Sequence, residues 1–170
     1  MKLTRRHLAI LAVTSVVAAA GWLVILGNAS PQRVPAVNYT LLDGSRHNTA
    51  DWAGKVMLVN FWATSCTTCV KEMPQIAATY EKFQSRGFDT LAVAMSYDPP
   101  AYVSGFAESR KLPFGVAIDN LGEVAKGFAQ VQLTPTTFLI NKRGEIVKRY
   151  VGEPDFAALH QLLEKLLNEA

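Results

Sequence analysis

The residues best suited to chemistry in this chain are Cys66 and Cys69, separated by Thr67 and Thr68. They are the only cysteines among 170 residues, which excludes a multi-bridge disulfide scaffold and a four-cysteine zinc site. The pair follows a nearly continuous apolar run, Val56-Met57-Leu58-Val59-Asn60-Phe61-Trp62-Ala63, and precedes a helical pattern. It therefore falls where a buried strand turns into a helix. The first turn of a helix presents unpaired N–H groups and a partial positive charge of about half a unit. A thiol placed there loses its proton more readily than free cysteine, and the thiolate is the nucleophile of disulfide exchange. Cys66, nearer the exposed tip, is expected to attack a partner disulfide. Cys69, one helical turn on and more buried, is expected to resolve the mixed disulfide.

Three other uses of the pair are weaker. A structural staple closing so short a loop gains only about 2 kcal/mol, against about 3 for a fifteen-residue loop. Half of a metal site would need His47 or His160, which show no ligand spacing. Inert core thiols do not suit an oxidising compartment, and the N-terminal segment points to such a compartment. Residues 8–27, LAILAVTSVVAAAGWLVILG, are uncharged, and twenty helical residues rise about 30 Å, the thickness of a bilayer core. Lys2, Arg5 and Arg6 stand ahead of this run and no acid occurs in residues 1–30. That asymmetry leaves residues 1–7 in the cytoplasm and carries the rest across a bacterial-type inner membrane. The length favours an uncleaved signal-anchor, although Gly27-Asn28-Ala29 offers a small-x-small cleavage site that would release the domain into the periplasm. Thr4-Arg5-Arg6-His7-Leu8 weakly resembles a twin-arginine export signal. Residues 28–36, with Pro31 and Pro35, form a linker to one domain over 37–170. Three of the 17 Lys and Arg precede the apolar run, and the rest equal the 14 Asp and Glu, so residues 31–170 are formally neutral. A neutral domain without a basic cluster argues against nucleic-acid binding.

The elements that must position the cysteines alternate between strand and helix. Val37–Leu42 reads as a strand ending in the Asp43-Gly44 turn, with a turn or helix around Ala50–Ala53. The apolar run is a strand covered on both faces. Val70, Met73, Ile76, Ala77, Tyr80 and Phe83 mark the buried stripe of a long helix that Gly87 ends. Phe88–Met95 is a second buried strand. A helix over 101–111, a strand over Gly115–Ile118 and a helix over Leu121–Phe128 follow. Thr136–Ile140 and Glu145–Val151 form a hairpin about Asn141–Gly144, and Pro154 opens an amphipathic closing helix. The expected class is α/β, a sandwich with a central mixed sheet and helices on both faces.

The run LVNFWATSCTTCVKEMP, followed later by LTPTTFLI, resembles the thioredoxin superfamily, and within it the TlpA/ResA-like membrane-anchored thiol–disulfide oxidoreductases. The resemblance covers about residues 37–168. It implies that Cys66 is the nucleophile, Cys69 the resolving cysteine and Pro74 the helix-kinking proline. It implies that Trp62 and the Thr134-Pro135 loop meet substrate, with Pro135 cis, and that Glu72 tunes the thiols or moves protons. A solvated Glu72 paired with a nearby lysine is the plainer alternative. Asn60 stands where thioredoxins carry a buried Asp, Ser65 replaces a Trp, and Thr67-Thr68 replace Gly-Pro. Thr136 follows Pro135 where the haem-maturation branch has an acid beside its proline. Peroxidase chemistry is excluded, because no Pro-x-x-x-Thr-x-x-Cys motif is present.

The resemblance implies a membrane-tethered periplasmic enzyme that reduces protein disulfides, with no cofactor and no metal. Its partners would be protein disulfides, such as those of apocytochromes or copper-site assembly proteins, and a membrane thiol electron donor. The alternatives are a disulfide oxidant or isomerase, and an assembly factor holding copper through the two thiols, which suit Cu(I).

Overall fold

The computed structural model describes residues 31–169. The apolar segment 8–27, read above as crossing a membrane, lies outside them, as do residues 1–7 and 28–30. Among the described residues no helix is long and apolar enough to cross a membrane.

Among the described residues seven strands form: β1 (Asn38–Thr40), β2 (Arg46–Asn48), β3 (Val56–Trp62), β4 (Phe88–Ala94), β5 (Gly115–Ile118), β6 (Thr136–Ile140) and β7 (Ile146–Val151). The helices are α1 (Thr67–Phe83), α2 (Pro100–Ser109), α3 (Glu123–Gly127) and α4 (Phe156–Asn168), with short 3-10 turns at Thr49–Trp52 and Gln84–Arg86. Five strands make the central sheet in the order β5-β4-β3-β6-β7. β3 pairs parallel with β4, and β4 with β5; β6 runs antiparallel to both β3 and β7. This is the mixed sheet expected from strand–helix alternation followed by a terminal hairpin.

β3 is buried at every position, as its uninterrupted apolar run requires. Its alternate side chains feed two cores. Val56, Leu58 and Trp62 pack on one face with Cys69, Met73, Ile76 and Phe83 of α1, Val103 of α2, and Leu159 and Leu163 of α4. Met57, Val59 and Phe61 pack on the other with Trp52, Phe128 and Phe138. Phe61, Phe128 and Phe138 form a tilted aromatic cluster with centroids 5.2–5.9 Å apart, and Trp52 adds to it at 6.3 Å from Phe128. Helices thus cover both faces, but the second carries only the five-residue α3, the 3-10 turns' Trp52 and the β1–β2 hairpin.

Three expectations change. Residues 46–48 form a strand against β1, because the Asp43-Gly44 turn folds the chain back after only three paired positions. Pro154 does not open α4; Asp155 caps it, its carboxylate accepting from the N–H groups of Ala157 and Ala158. The buried line of α1 is Cys69, Glu72, Met73, Ile76, Thr79 and Phe83, so Val70, Ala77 and Tyr80 flank it. Thr79 enters the line because its hydroxyl is satisfied, donating to the Gln75 carbonyl at 2.7 Å.

The sheet edges differ. β5 is partly covered by the segment after β1, with Leu41 bridging Ala117 and the Leu42 N–H donating to Val116 at 3.0 Å. The outer side of β7 is paired only at its start, where the Ile146 N–H donates to Gln32 at 2.8 Å and Arg33 bridges Glu145; beyond that it is exposed and carries Lys148 and Arg149.

Candidate active site

Where β3 ends, the Met95 N–H donates to the Trp62 carbonyl at 3.0 Å, extending the pairing with β4. The chain then turns through Ala63–Cys66, with the Cys66 N–H donating to Ala63 at 3.1 Å. Cys66 is the N-cap of α1, in extended backbone, and its Sγ accepts from the Cys69 N–H at 3.2 Å. Sulfur therefore takes the position in which a serine or aspartate oxygen usually satisfies the free N–H groups of a first turn. Cys66 is half-buried and Cys69 is fully buried. The two are joined in a disulfide with Cα atoms 5.2 Å apart, so this is the oxidised protein. The expected difference in burial, Cys66 nearer the surface and Cys69 shielded, is present.

The turn that presents Cys66 is held from below. Thr64 donates to the buried Asp98 twice at 2.6 Å, from its N–H to Oδ2 and from its hydroxyl to Oδ1. Asp98 lies in the loop after β4, so the C-terminal ends of two parallel strands are clamped together beside the cysteines. In the sequence Asp98 stands before Pro99-Pro100, a pattern that suggests only a turn. Its place after a buried parallel strand, where sites of α/β proteins gather, was the available signal. Asp98→Ala leaves the Thr64 N–H without its acceptor and is expected to cost about 2 kcal/mol. Urea unfolding of the oxidised protein checks this; an unchanged midpoint would show that the clamp contributes nothing.

Glu72 is three residues beyond Cys69 on the same helical face and is completely buried. The plainer alternative of a solvated Glu72 beside lysine does not hold. Lys71 turns outward and pairs with Glu153 at 2.9 Å. Glu72 Oε1 instead accepts from the Asn60 side-chain amide of β3 at 2.9 Å. Burial pushes the Glu72 carboxyl up to about 7; the Asn60 N–H partly opposes this and the nearby Glu153 charge adds to it. Asn60, the departure from the thioredoxin pattern, and Glu72 are thus in direct contact beside the sulfurs' helix.

The Thr134–Pro135 bond is cis. Thr136 stands opposite Phe61 in the β3–β6 register, which puts the Thr134–Pro135 loop just beyond the end of β3, on the cysteine side of the sheet. Thr136 closes the loop by donating its hydroxyl to Leu133 at 2.7 Å, and the Gly152 N–H donates to the Pro135 carbonyl at 2.8 Å. Exposed Tyr97 reaches across with its hydroxyl 3.4 Å from that of Thr134. Tyr97 had no sequence signal of its own.

Trp62 takes a different place from the one expected. It is fully buried and stacks at a tilt on Phe106 of α2, 5.1 Å between centroids. It faces the core beneath the site and offers no surface to a substrate, because side chains alternate along β3 and this face is covered by α1 and α2. Pro74 lies inside α1, exposed, one turn past the disulfide. Among the described residues no group of three or more His, Cys, Asp or Glu could hold a metal ion.

Comparison with known proteins places this geometry. The Redoxin family model matches residues 29–163. The chain is 34% identical over 135 residues to the thiol-disulfide oxidoreductase ResA of Bacillus thuringiensis subsp. konkukian, covering 79% of this chain and 77% of that protein. The solution structure of a Neisseria meningitidis protein described as a thioredoxin superposes with a TM-score of 0.76 at 40% identity, covering 83% of this chain and 93% of the other. The thioredoxin domain of a thiol-disulfide oxidoreductase from Bacteroides vulgatus gives 0.71 at 26% identity, covering 82% and 99%.

Proposed function

Because this chain belongs to the redoxin family, as a ResA-like thiol–disulfide oxidoreductase of the thioredoxin superfamily, we propose that it works as a protein-disulfide reductase. It would be tethered by residues 8–27 to the periplasmic face of an inner membrane. In the reduced enzyme the Cys66 thiolate attacks one sulfur of a substrate disulfide. A mixed disulfide forms and the departing substrate thiolate takes up a proton. Cys69, deprotonated in turn, attacks Cys66 Sγ; the second substrate thiol leaves and the Cys66–Cys69 disulfide forms. Two electrons have passed to the substrate, and a membrane thiol donor restores the dithiol. Glu72, buried on the Cys69 face, is the group suited to accept the Cys69 proton.

The observation that carries the direction is the buried Glu72 carboxyl. Above its titration near 7 this carboxyl puts a negative charge in the interior one helical turn from Cys69, which disfavours the thiolate, and weak thiolate stabilisation favours the disulfide form of the enzyme. The nearest lysine in sequence does not offset it, being paired to Glu153. One observation favours the opposite direction: the Cys69 N–H at 3.2 Å from Cys66 Sγ supports a thiolate and hence an oxidant. The reduction potential of the pair, measured on the full chain against defined thiol buffers, separates the two. A value near or below about −270 mV is expected, and one near about −120 mV would make the protein a disulfide donor. The periplasmic side is checked by labelling reduced Cys66 in cells with a membrane-impermeant thiol reagent, where labelling only after lysis would refute it; the tether is checked by fractionation, where recovery away from washed membranes would refute it.

Protein disulfides such as those of apocytochromes or copper-site assembly proteins are the proposed substrates. Tyr97 and Leu133, which border Thr134 and are exposed, are the apolar surface such a substrate would meet.

A further inference from the structure

One buried contact of Asn60 has no part in the exchange steps above. Its amide nitrogen donates twice, to Glu72 Oε1 on α1 and to Thr137 Oγ1 on β6, each at 2.9 Å. Asn60 and Thr137 stand directly opposite each other in the β3–β6 register. All three residues are completely buried, so water does not compete for these bonds. An amide has two ends that differ only in what they offer, two donors or two acceptor sites. Glu72 alone does not determine which end faces it: an ionised carboxylate takes the nitrogen, whereas a protonated one can also donate to the oxygen. Thr137 takes the second N–H of the amide, so that turning the amide would bury two unpaired N–H groups in place of one unpaired oxygen. The opposite ends of the pair, Asn60 Oδ1 and Glu72 Oε2, have no protein partner. The carboxyl therefore has one fixed donor and one free oxygen, on which a proton can be held.

We propose that Thr137 is a positioning residue: it holds the Asn60 amide in the orientation that donates to Glu72, and so sets the pH at which this carboxyl gives up its proton. The inference rests on the reading that Glu72 exchanges protons with the sulfurs. The charged and titratable groups around it come from three elements. Cys66 and Cys69 lie on its own helix; Glu153, paired with Lys71, acts on it from the loop after β7; and Tyr150 of β7, itself influenced by Asp155, stands opposite Thr137. Burial raises the carboxyl and the Asn60 donor lowers it, so the donor is what brings the titration back towards neutrality.

In Thr137→Val the methyl replaces the hydroxyl with little change of volume, and the amide is free to turn its oxygen to Glu72. A donor lost and an acceptor gained both favour the protonated acid. The titration of Glu72 is then expected to move up by about one pH unit, a tenfold change in the ionised fraction at a given pH. Thr137→Ser keeps the acceptor and is expected to titrate with the unmodified protein. The readout is infrared difference spectroscopy of the carboxyl on the full chain, with Glu72→Gln assigning the band. The pH profile of Cys66 alkylation in the reduced protein is followed in parallel. A Val variant that titrates with the unmodified protein, or a Ser variant that moves with the Val variant, overturns the proposal. A shifted Glu72 band with unmoved alkylation upholds the positioning by Thr137 and instead overturns the role of Glu72 towards the sulfurs. Should the Val variant fold poorly, Asn60→Ala removes the donor itself; a Glu72 band unmoved in that variant overturns the proposal equally.

Discussion

Cys66→Ser is expected to abolish thiol–disulfide exchange, while Cys69→Ser is expected to accumulate a covalent intermediate. The two sulfurs share a helix turn but not an environment. Cys66 caps the helix at the half-open tip and Cys69 is sealed in the core with Met73 and Ile76. A serine at 66 cannot form the mixed disulfide, so every later step is lost. A serine at 69 leaves the attack intact and removes only the intramolecular release. Incubating each variant with a disulfide-bonded protein and separating the products without reductant distinguishes them. A Cys69→Ser enzyme that turns over at the normal rate, or a stable adduct on Cys66→Ser, would invert the assigned roles. Neither change is expected to disturb the fold, since the disulfide closes only a four-residue segment and removes little chain entropy.

The second large effect is on stability, and its sign follows from Glu72. In the folded protein the carboxyl titrates at about 7, against an ordinary value of 4.5. Between those values the folded protein holds a proton that the unfolded chain has released, so folding takes up a proton and stability falls as pH rises. The contribution is full below pH 4.5 and is lost above pH 7, for a total of up to about 3 kcal/mol. Glu72→Gln keeps the shape without the charge. Its stability, from urea unfolding of the oxidised protein at pH 5 and pH 8, is expected to lack this fall, leaving it more stable than the unmodified protein at pH 8. Parallel losses in the two proteins between these pH values would mean that Glu72 is not the group responsible. The same substitution is expected to slow thiol–disulfide exchange if Glu72 exchanges protons with Cys69 as proposed, because Gln cannot take up a proton.

Much of this site was legible in the residues. The uninterrupted apolar run of β3, the spacing of the cysteines and the helix behind them located the chemistry, because burial on both faces and helical periodicity leave marks in the sequence. What escaped were partnerships between distant segments. Asp98 holds Thr64 from 34 residues away and Thr137 holds Asn60 from 77. Neither has local periodicity that could betray it. Apolar counting misplaced the buried line of α1 by about one residue, since it could not know that Glu72 and Thr79 bring their polar atoms to partners inside. Trp62 failed as a contact residue for the reverse reason: a motif gives a residue's neighbours along the chain, but the pleat decides which way it faces.

The unequal edges of the sheet bear on what else this protein meets while its sulfurs are exposed to other chains. Extended chain segments are the partners most ready to add a strand to any open edge. At β5 the segment from Leu41 already occupies part of that place, and β7 answers with Lys148 and Arg149. Short, covered or charged edges are poor templates for cross-β growth. Both edges of this sheet are therefore poor places for another chain to add a strand.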